Sequence, residues 1–386
     1  PVHIWLPYAH PAAPSHISAL LSGIAIKMGI YGICRVLWIV KVLPDWCGYV
    51  LLMTGVVSGL MGVLYALGQH ELKKLLAYHS IENIGIIALG LGVGLLGRSY
   101  QIPFLAVLGF GGGLFHVLNH ALFKGLLFLG AGSVIQKMHS GEMDHLGGLS
   151  KTLPMTSRLF MVGALSICGL PLFNGFISEF IVYFGLFRGL LGLPVQGMIF
   201  CSVGILSLAL MGALALACFS KVYGTVFLGK PRTDMKKVLL NEAQAVSEKP
   251  TVREGACHEE TSQWMLFPMM VLAGLCVWIG LVPGSVTGLI FLGGAYLTHV
   301  DLSAIPLEQV LIPLTVVVKM AGLFLLVLLG LIVVRRLLLG AALTPVRETW
   351  SCGFAQVSSK FQYTSASFAR MIVELMKSLL LFRRHG

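Results

Sequence analysis

GGGLFHVLNHALFKGLLFLGAGSVI, residues 111–135, is the stretch whose reading decides the fold class. It is apolar and long enough to cross a bilayer as a helix, which takes about 20 residues. Yet it carries His116, His120 and Lys124. Their i, i+4, i+8 spacing puts all three on one stripe of a helix. A lysine at the bilayer centre costs roughly 2.5–3.5 kcal/mol, so such groups turn toward a wet or protein-lined interior. The stretch therefore predicts one helix of a bundle, with three titratable groups in a row suited to hand a proton along.

The composition agrees. Of 386 residues, 56% are hydrophobic and only 11% charged, against about 25% charged in a soluble domain. Mean hydropathy is +0.87. The net charge of +11 sits in short loops between apolar runs, as in a membrane protein, and does not form a nucleic-acid surface. The eight cysteines (Cys34, Cys47, Cys168, Cys201, Cys218, Cys257, Cys276 and Cys352) show no ligand-pair spacing. That argues against an iron–sulfur cluster, a zinc knuckle or a disulfide framework, so no redox centre is expected in this chain. Pro1–Pro14 (PVHIWLPYAHPAAP) reads as a proline-rich loop without signal-peptide regions, as if the true N-terminus lay upstream.

Runs long enough to span are Ser15–Val40, Cys47–Leu67, Leu75–Leu96, Phe104–Ile135, Met155–Phe187, Gly197–Val222, Met265–Val282 and Gln309–Val334. Val286–Leu297 is too short to cross. Phe368–Phe382, with Arg370, Glu374 and Lys377 along one side, suits either the membrane interface or docking on a neighbour. The expectation is an all-α integral membrane bundle of about 8–9 helices, one of them discontinuous. The break is placed at Gly169-Leu170-Pro171 and Asn174-Gly175, where proline removes a backbone donor and where transporters build ion sites. Loop cations concentrate in Gln69–Lys74, Gln136–Arg158, Lys221–Gln263 and Arg335–Arg347. The positive-inside rule puts these loops, the N-terminal loop and the tail in the cytoplasm, with Arg35 and Lys41 as exceptions. The chain divides into a core over 1–230, a polar loop over 231–263, further spans over 264–340 and a tail over 341–386.

Other charged residues lie inside these spans. Lys27 is about 12 Å of helix from either end of its run, beyond comfortable snorkelling range. Glu179, in NGFISEFIVYF, follows the helix break without an adjacent cation. The HxxxH pair His116/His120 lacks a third ligand for zinc, so no metal or cofactor is expected. Histidine, with an ordinary pKa near 6.5, suits a relay between a buried lysine and water. Lys319 is also mid-span, and Glu82 with His79 sits near a helix start, where the dipole favours an anion. These three form a second tier.

With these residues in view, the sequence resembles the antiporter-like proton-translocating subunits of respiratory complex I, membrane-bound hydrogenases and Mrp-type antiporters. The resemblance rests on HIWLPYAHPAAPSHISALLSGIAIKMGIYGI, GQHELKKLLAYHSIENIGII, GLFHVLNHALFKGLLFLGAGSVI and LPLFNGFISEF, in that order within residues 1 to 230. PYAHPAAPSHISAL, AYHSIEN and TWSCGFAQVSSKFQYTSASFA lean toward the hydrogenase-4 and formate hydrogenlyase subgroup. The resemblance implies that Lys27 is the central lysine of the eighth helix. It makes His116, His120 and Lys124 the connecting residues of the eleventh, and Glu179 the terminal group of a broken twelfth. The family's upstream glutamate–lysine pair, on helices five and seven, is not in this sequence, so the fragment alone is not expected to pump.

The implied function is a proton-translocating subunit in a bacterial or archaeal cytoplasmic membrane. Its partners are other membrane subunits of a hydrogenase or complex I-like, NADH:quinone oxidoreductase-related assembly. Two alternatives stay open, a stand-alone Na⁺/H⁺ antiporter and a transport-inactive scaffold.

Overall fold

The computed structural model describes residues 3–40, 43–232, 260–339 and 362–375. Among these residues the regular structure is helical, with eight helices long and apolar enough to cross a membrane. The chain is a multi-pass integral membrane protein. Most of the polar stretch 231–263 and of the tail expected over 341–386 lies outside the described residues.

The helices in order are α1 (Leu6–Ala12), α2 (Ser15–Leu20), α3 (Lys27–Ile39), α4 (Asp45–Leu67), α5 (Leu72–Ser99) and α6 (Pro103–Met138). They continue with α7 (Pro154–Ile167), α8 (Asn174–Gly192), α9 (Val195–Val226), α10 (Gln263–Leu281), α11 (Gly284–Thr298), α12 (Glu308–Leu339) and α13 (Ser365–Leu375). A π-helical turn, Leu21–Ala25, joins α2 to α3, making one crossing of Ser15–Ile39. The two most buried spans, α5 and α6, form the middle of the bundle. Helices α4, α7, α8, α9, α10 and α11 pack around them.

Small residues bring the central helices close. A Cβ on Gly62 of α4 would collide with the Glu82 backbone of α5, so glycine there sets how near α4 comes to that carboxylate. The expected break is present. Helix α7 ends at Ile167 and α8 begins at Asn174, with Gly169 (φ 61°) and Leu172 (φ 78°) in the left-handed region. A non-glycine residue there holds roughly 1–3 kcal/mol of backbone strain, which the surrounding packing must sustain.

Two expectations are corrected. Pro1–Pro14 is not all loop, since Leu6–Ala12 is helical. Pro7 falls in its first turn, where a missing N–H costs nothing. Lys221, read as a loop cation, is fully buried within α9. Its Nζ donates to Leu67 O (2.7 Å) and Gln69 O (2.9 Å), satisfying carbonyls at the end of α4.

Candidate functional site: a buried polar row

Helix α6 carries His116, Asn119, His120 and Lys124, all fully buried. His116 sits at the middle of the row. Its Nε2 lies 3.0 Å from Asn83 Oδ1 on α5, and its Nδ1 lies 3.0 Å from Ser178 Oγ on α8. Asn83 Nδ2 donates to His79 O (2.7 Å), which turns its carbonyl oxygen toward His116. His116 Nε2 is then the donor of that bond. Asn119 Nδ2 donates to Ser178 Oγ (3.0 Å) and to Asn174 O (2.8 Å) at the start of α8.

The Ser178 hydroxyl has two possible acceptors, Gly175 O at 3.0 Å and His116 Nδ1. With a neutral His116 the hydroxyl donates to Nδ1. With a protonated His116 it accepts from Nδ1–H and donates to Gly175 O. Rotation of one hydroxyl thus keeps the ring hydrogen-bonded in either charge state.

His120 stacks near His116, with ring centroids 6.4 Å apart. Neither of its nitrogens has a hydrogen-bond partner among the described residues. Both nitrogens can therefore take part in a relay. Lys124 Nζ donates to Leu76 O (2.6 Å) and lies 5.9 Å from the Phe128 ring. Its charge interacts with Glu82, and Glu82 in turn with Glu179.

Lys27, 7% exposed, donates to Ser22 O within the π turn. The Ser22 and Ser80 hydroxyls, 2.7 Å apart, tie that turn to α5. Lys27 interacts electrostatically with Lys124 and with both imidazoles. Glu179 is half-buried, its carboxylate seated over Gly169 at the break, where a Cβ would collide with it. Lys27 is thus coupled directly to Lys124 and to both histidines, Lys124 to Glu82, and Glu82 to Glu179.

The second-tier residues divide. Glu82 is 2% exposed and hydrogen-bonds His79 Nδ1 deep inside α5, so the helix-start reading of this pair is corrected. The helix begins at Leu72, and Glu71 is its cap, accepting from Lys73 N (3.1 Å) and Lys74 N (2.7 Å). Lys319 does not join the row. It is exposed on α12.

Residues 1–207 match the family model described as "NADH:quinone oxidoreductase/Mrp antiporter, TM". The chain belongs to this family.

Within the family the chain is 43% identical to hydrogenase-4 component B of Escherichia coli over 284 residues, which is 73% of this chain and 39% of that protein. It is 42% identical to formate hydrogenlyase subunit 3 of the same organism over 233 residues, covering 60% of this chain and 38% of that protein. The chain thus spans about two-fifths of the length of these relatives. In fold it is similar to a chain of the Mrp complex from Dietzia (TM-score 0.61, 23% identity, 77% of this chain and 56% of that one). The antiporter-like membrane fold expected from the motifs is the one observed.

The titratable residues singled out within the motifs do not account for every buried polar group here. His10 is fully buried, stacks on Phe128 with centroids 4.5 Å apart, and is influenced by the charges of Lys124 and Lys73. Reading only titratable residues inside apolar runs passes it over, because His10 precedes the first run. Asn83, Asn119 and Ser178 were also missed. Helical spacing offered a clue for the first two, since Asn83 is i+4 from His79 and Asn119 is i+3 from His116.

Proposed function

We propose that this chain is the proton-translocating membrane subunit of a hydrogenase-4- or formate hydrogenlyase-like assembly related to complex I. The observation that carries the reading is the row of buried ionisable groups from Lys27 through His116, His120, Lys124 and Glu82, ending at the half-buried Glu179, held between α3, α5, α6 and α8. Titratable groups sunk at such depth are costly, and in membrane proteins they mark proton relays. The names of the two Escherichia coli relatives support the hydrogenase-type assembly.

In this reading the basic loops face the cytoplasm. A cavity of about 570 Å³ opens at that end, lined by Ser15, His16, Lys73, Gln136 and Trp264 among others. Lys73 Nζ donates to Ala13 O (2.7 Å) beside it, and His10 lies behind, against Phe128. Protons reach Lys124 by this route. His120 and His116 connect Lys124 to Lys27, and Glu82 connects it to Glu179. Changing the charge of one buried group changes the proton affinity of the next, so a redox step in another subunit drives the row without electrons entering this chain.

The test is Glu179→Gln in the full-length assembly, with proton pumping measured against catalytic turnover. The reading expects intact assembly with pumping reduced at least tenfold. Unchanged pumping would remove Glu179 from the path. Cation exchange by vesicles lacking every redox subunit would favour the stand-alone antiporter instead.

A further inference from the structure

Glu82 has a partner that the row itself does not use. Its Oε2 hydrogen-bonds Nδ1 of His79, one turn earlier on α5, and the two side chains are 2% and 0% exposed. The surfaces that close over the pair belong to this chain. On the α9 side Phe219 lies against the imidazole, with ring centroids 4.8 Å apart. On the α4 side there is glycine backbone, since a Cβ on Gly62 would collide with N and Cα of Glu82. The titratable groups around the pair come from every other neighbour. Lys124 of α6, Glu179 of α8 and Cys168 just past α7 interact electrostatically with Glu82. Cys218 and Lys221 of α9, with Lys124, do so with His79.

A glutamate carboxylate turns easily about its last side-chain bond, because that torsion is broad and roughly two-fold. The bond from His79 removes this freedom. It engages Oε2, whereas no hydrogen bond to Oε1 is found among the described residues. The imidazole is held in its turn. Nε2 has no hydrogen-bond partner among the described residues, so the ring hydrogen is better placed on Nδ1, where it has an acceptor. Nδ1–H then donates to Oε2 whether Glu82 is ionised or neutral. In the ionised form Oε2 is a carboxylate oxygen, and in the acid it is the carbonyl oxygen. One proton is gained or lost at Oε1, and no other bond changes.

We infer that His79 is a positioning residue for the proton step at Glu82, holding Oε2 so that Oε1 is the oxygen that exchanges the proton. His79 stays neutral and passes no proton itself. The inference rests on the proposed transport function and adds to it the residue that orients its internal carboxylate.

The experiment compares His79→Phe, His79→Asn and Glu82→Gln in the full-length assembly, reading protons moved per redox turnover and the redox-difference infrared spectrum. Phenylalanine keeps a ring against Phe219 and removes the donor. Asparagine keeps an N–H near the Nδ1 position and cannot relay a proton. Pumping is expected to fall about tenfold in His79→Phe, as for the loss of one buried hydrogen bond, and to return to within about threefold of wild type in His79→Asn. The C=O stretch of protonated Glu82, identified as the band lost in Glu82→Gln, is expected to shift in His79→Phe and to keep its wild-type position in His79→Asn. A histidine that only fills space would leave the band where it is. Wild-type pumping in His79→Phe with pumping lost in Glu82→Gln overturns the inference and leaves the proposed function standing. Pumping lost in His79→Asn as fully as in His79→Phe also overturns it, by making the ring a relay. Wild-type pumping in Glu82→Gln removes Glu82 from the path, and the inference with it.

Discussion

Asn83 Oδ1 and His116 Nε2 meet at 3.0 Å and join the two most buried helices of the bundle at the centre of the polar row. Asn83 is itself anchored by His79 O, so α5 presents a fixed acceptor to the ring. Asn83→Leu fills similar space but leaves the Nε2–H unsatisfied, a loss of about 1–3 kcal/mol in a buried site. The expected result is a lower thermal midpoint in lipid nanodiscs together with proton pumping reduced about tenfold. A wild-type midpoint would show that the bond contributes nothing.

Ser178 gives a sharper test, because its role depends on a hydroxyl that can turn. In Ser178→Ala, His116 Nδ1 loses its partner and Asn119 loses an acceptor. Pumping is expected to fall about tenfold, the equivalent of one neutral hydrogen bond. Ser178→Thr keeps the hydroxyl and is expected to restore most of the rate. Equal pumping by the alanine and threonine variants would show that hydroxyl rotation is not used.

Away from the row, Asp144 holds the segment before and within α13. It accepts from Ser365 N (2.7 Å) and Ser365 Oγ (2.8 Å) and lies near His70 and Arg232. Partial burial pushes its carboxyl up, but the two hydrogen bonds from Ser365 and the nearby Arg232 guanidinium outweigh it, and the net shift is below the ordinary 3.8. A depressed carboxyl stabilises the contact fully above its ordinary pKa, and the contribution is lost as pH falls through the lowered value. Hydrogen exchange over residues 362–375 should therefore stay slow near neutrality, after correction for intrinsic rates, and accelerate below about pH 4. Asp144→Asn should loosen the segment already at pH 7. Identical protection in the variant would mean that the segment is held by its other contacts, the hydrogen bonds of Gln362 with Lys230 and of Arg232 with Tyr363 O and the packing of α13 against α9 and α4.

Much of this architecture was legible in the sequence. Apolar runs longer than a bilayer needs can fold only as buried or lipid-facing helices, and Gly169-Leu170-Pro171 cannot continue one. Lys27, His116, His120, Lys124 and Glu179 stood out because each interrupts hydrocarbon. Less was legible where burial depends on other segments. Lys221 looks like a loop cation until the end of α4 and the turn after it deliver two carbonyls, and His10 looks exposed until Phe128 covers it. The late start of the apolar run suggests a helix start near Glu82. Glu71 caps the helix earlier and leaves Glu82 in the interior. The neutral partners Asn83, Asn119 and Ser178 carry no charge to betray them, and only the approach of α5 and α8 to α6 gives them their roles. Lys319 shows the converse, since a mid-span lysine points into this bundle only if other helices surround its own.

In the proposed path Lys124 carries charge between the histidines and Glu82. Its most direct measurement is the number of protons moved per redox turnover by the full-length assembly carrying Lys124→Met, reconstituted beside wild type. The expected result is a complete assembly whose redox partner still turns over while protons moved per turnover fall at least tenfold. A wild-type ratio in that variant would contradict it.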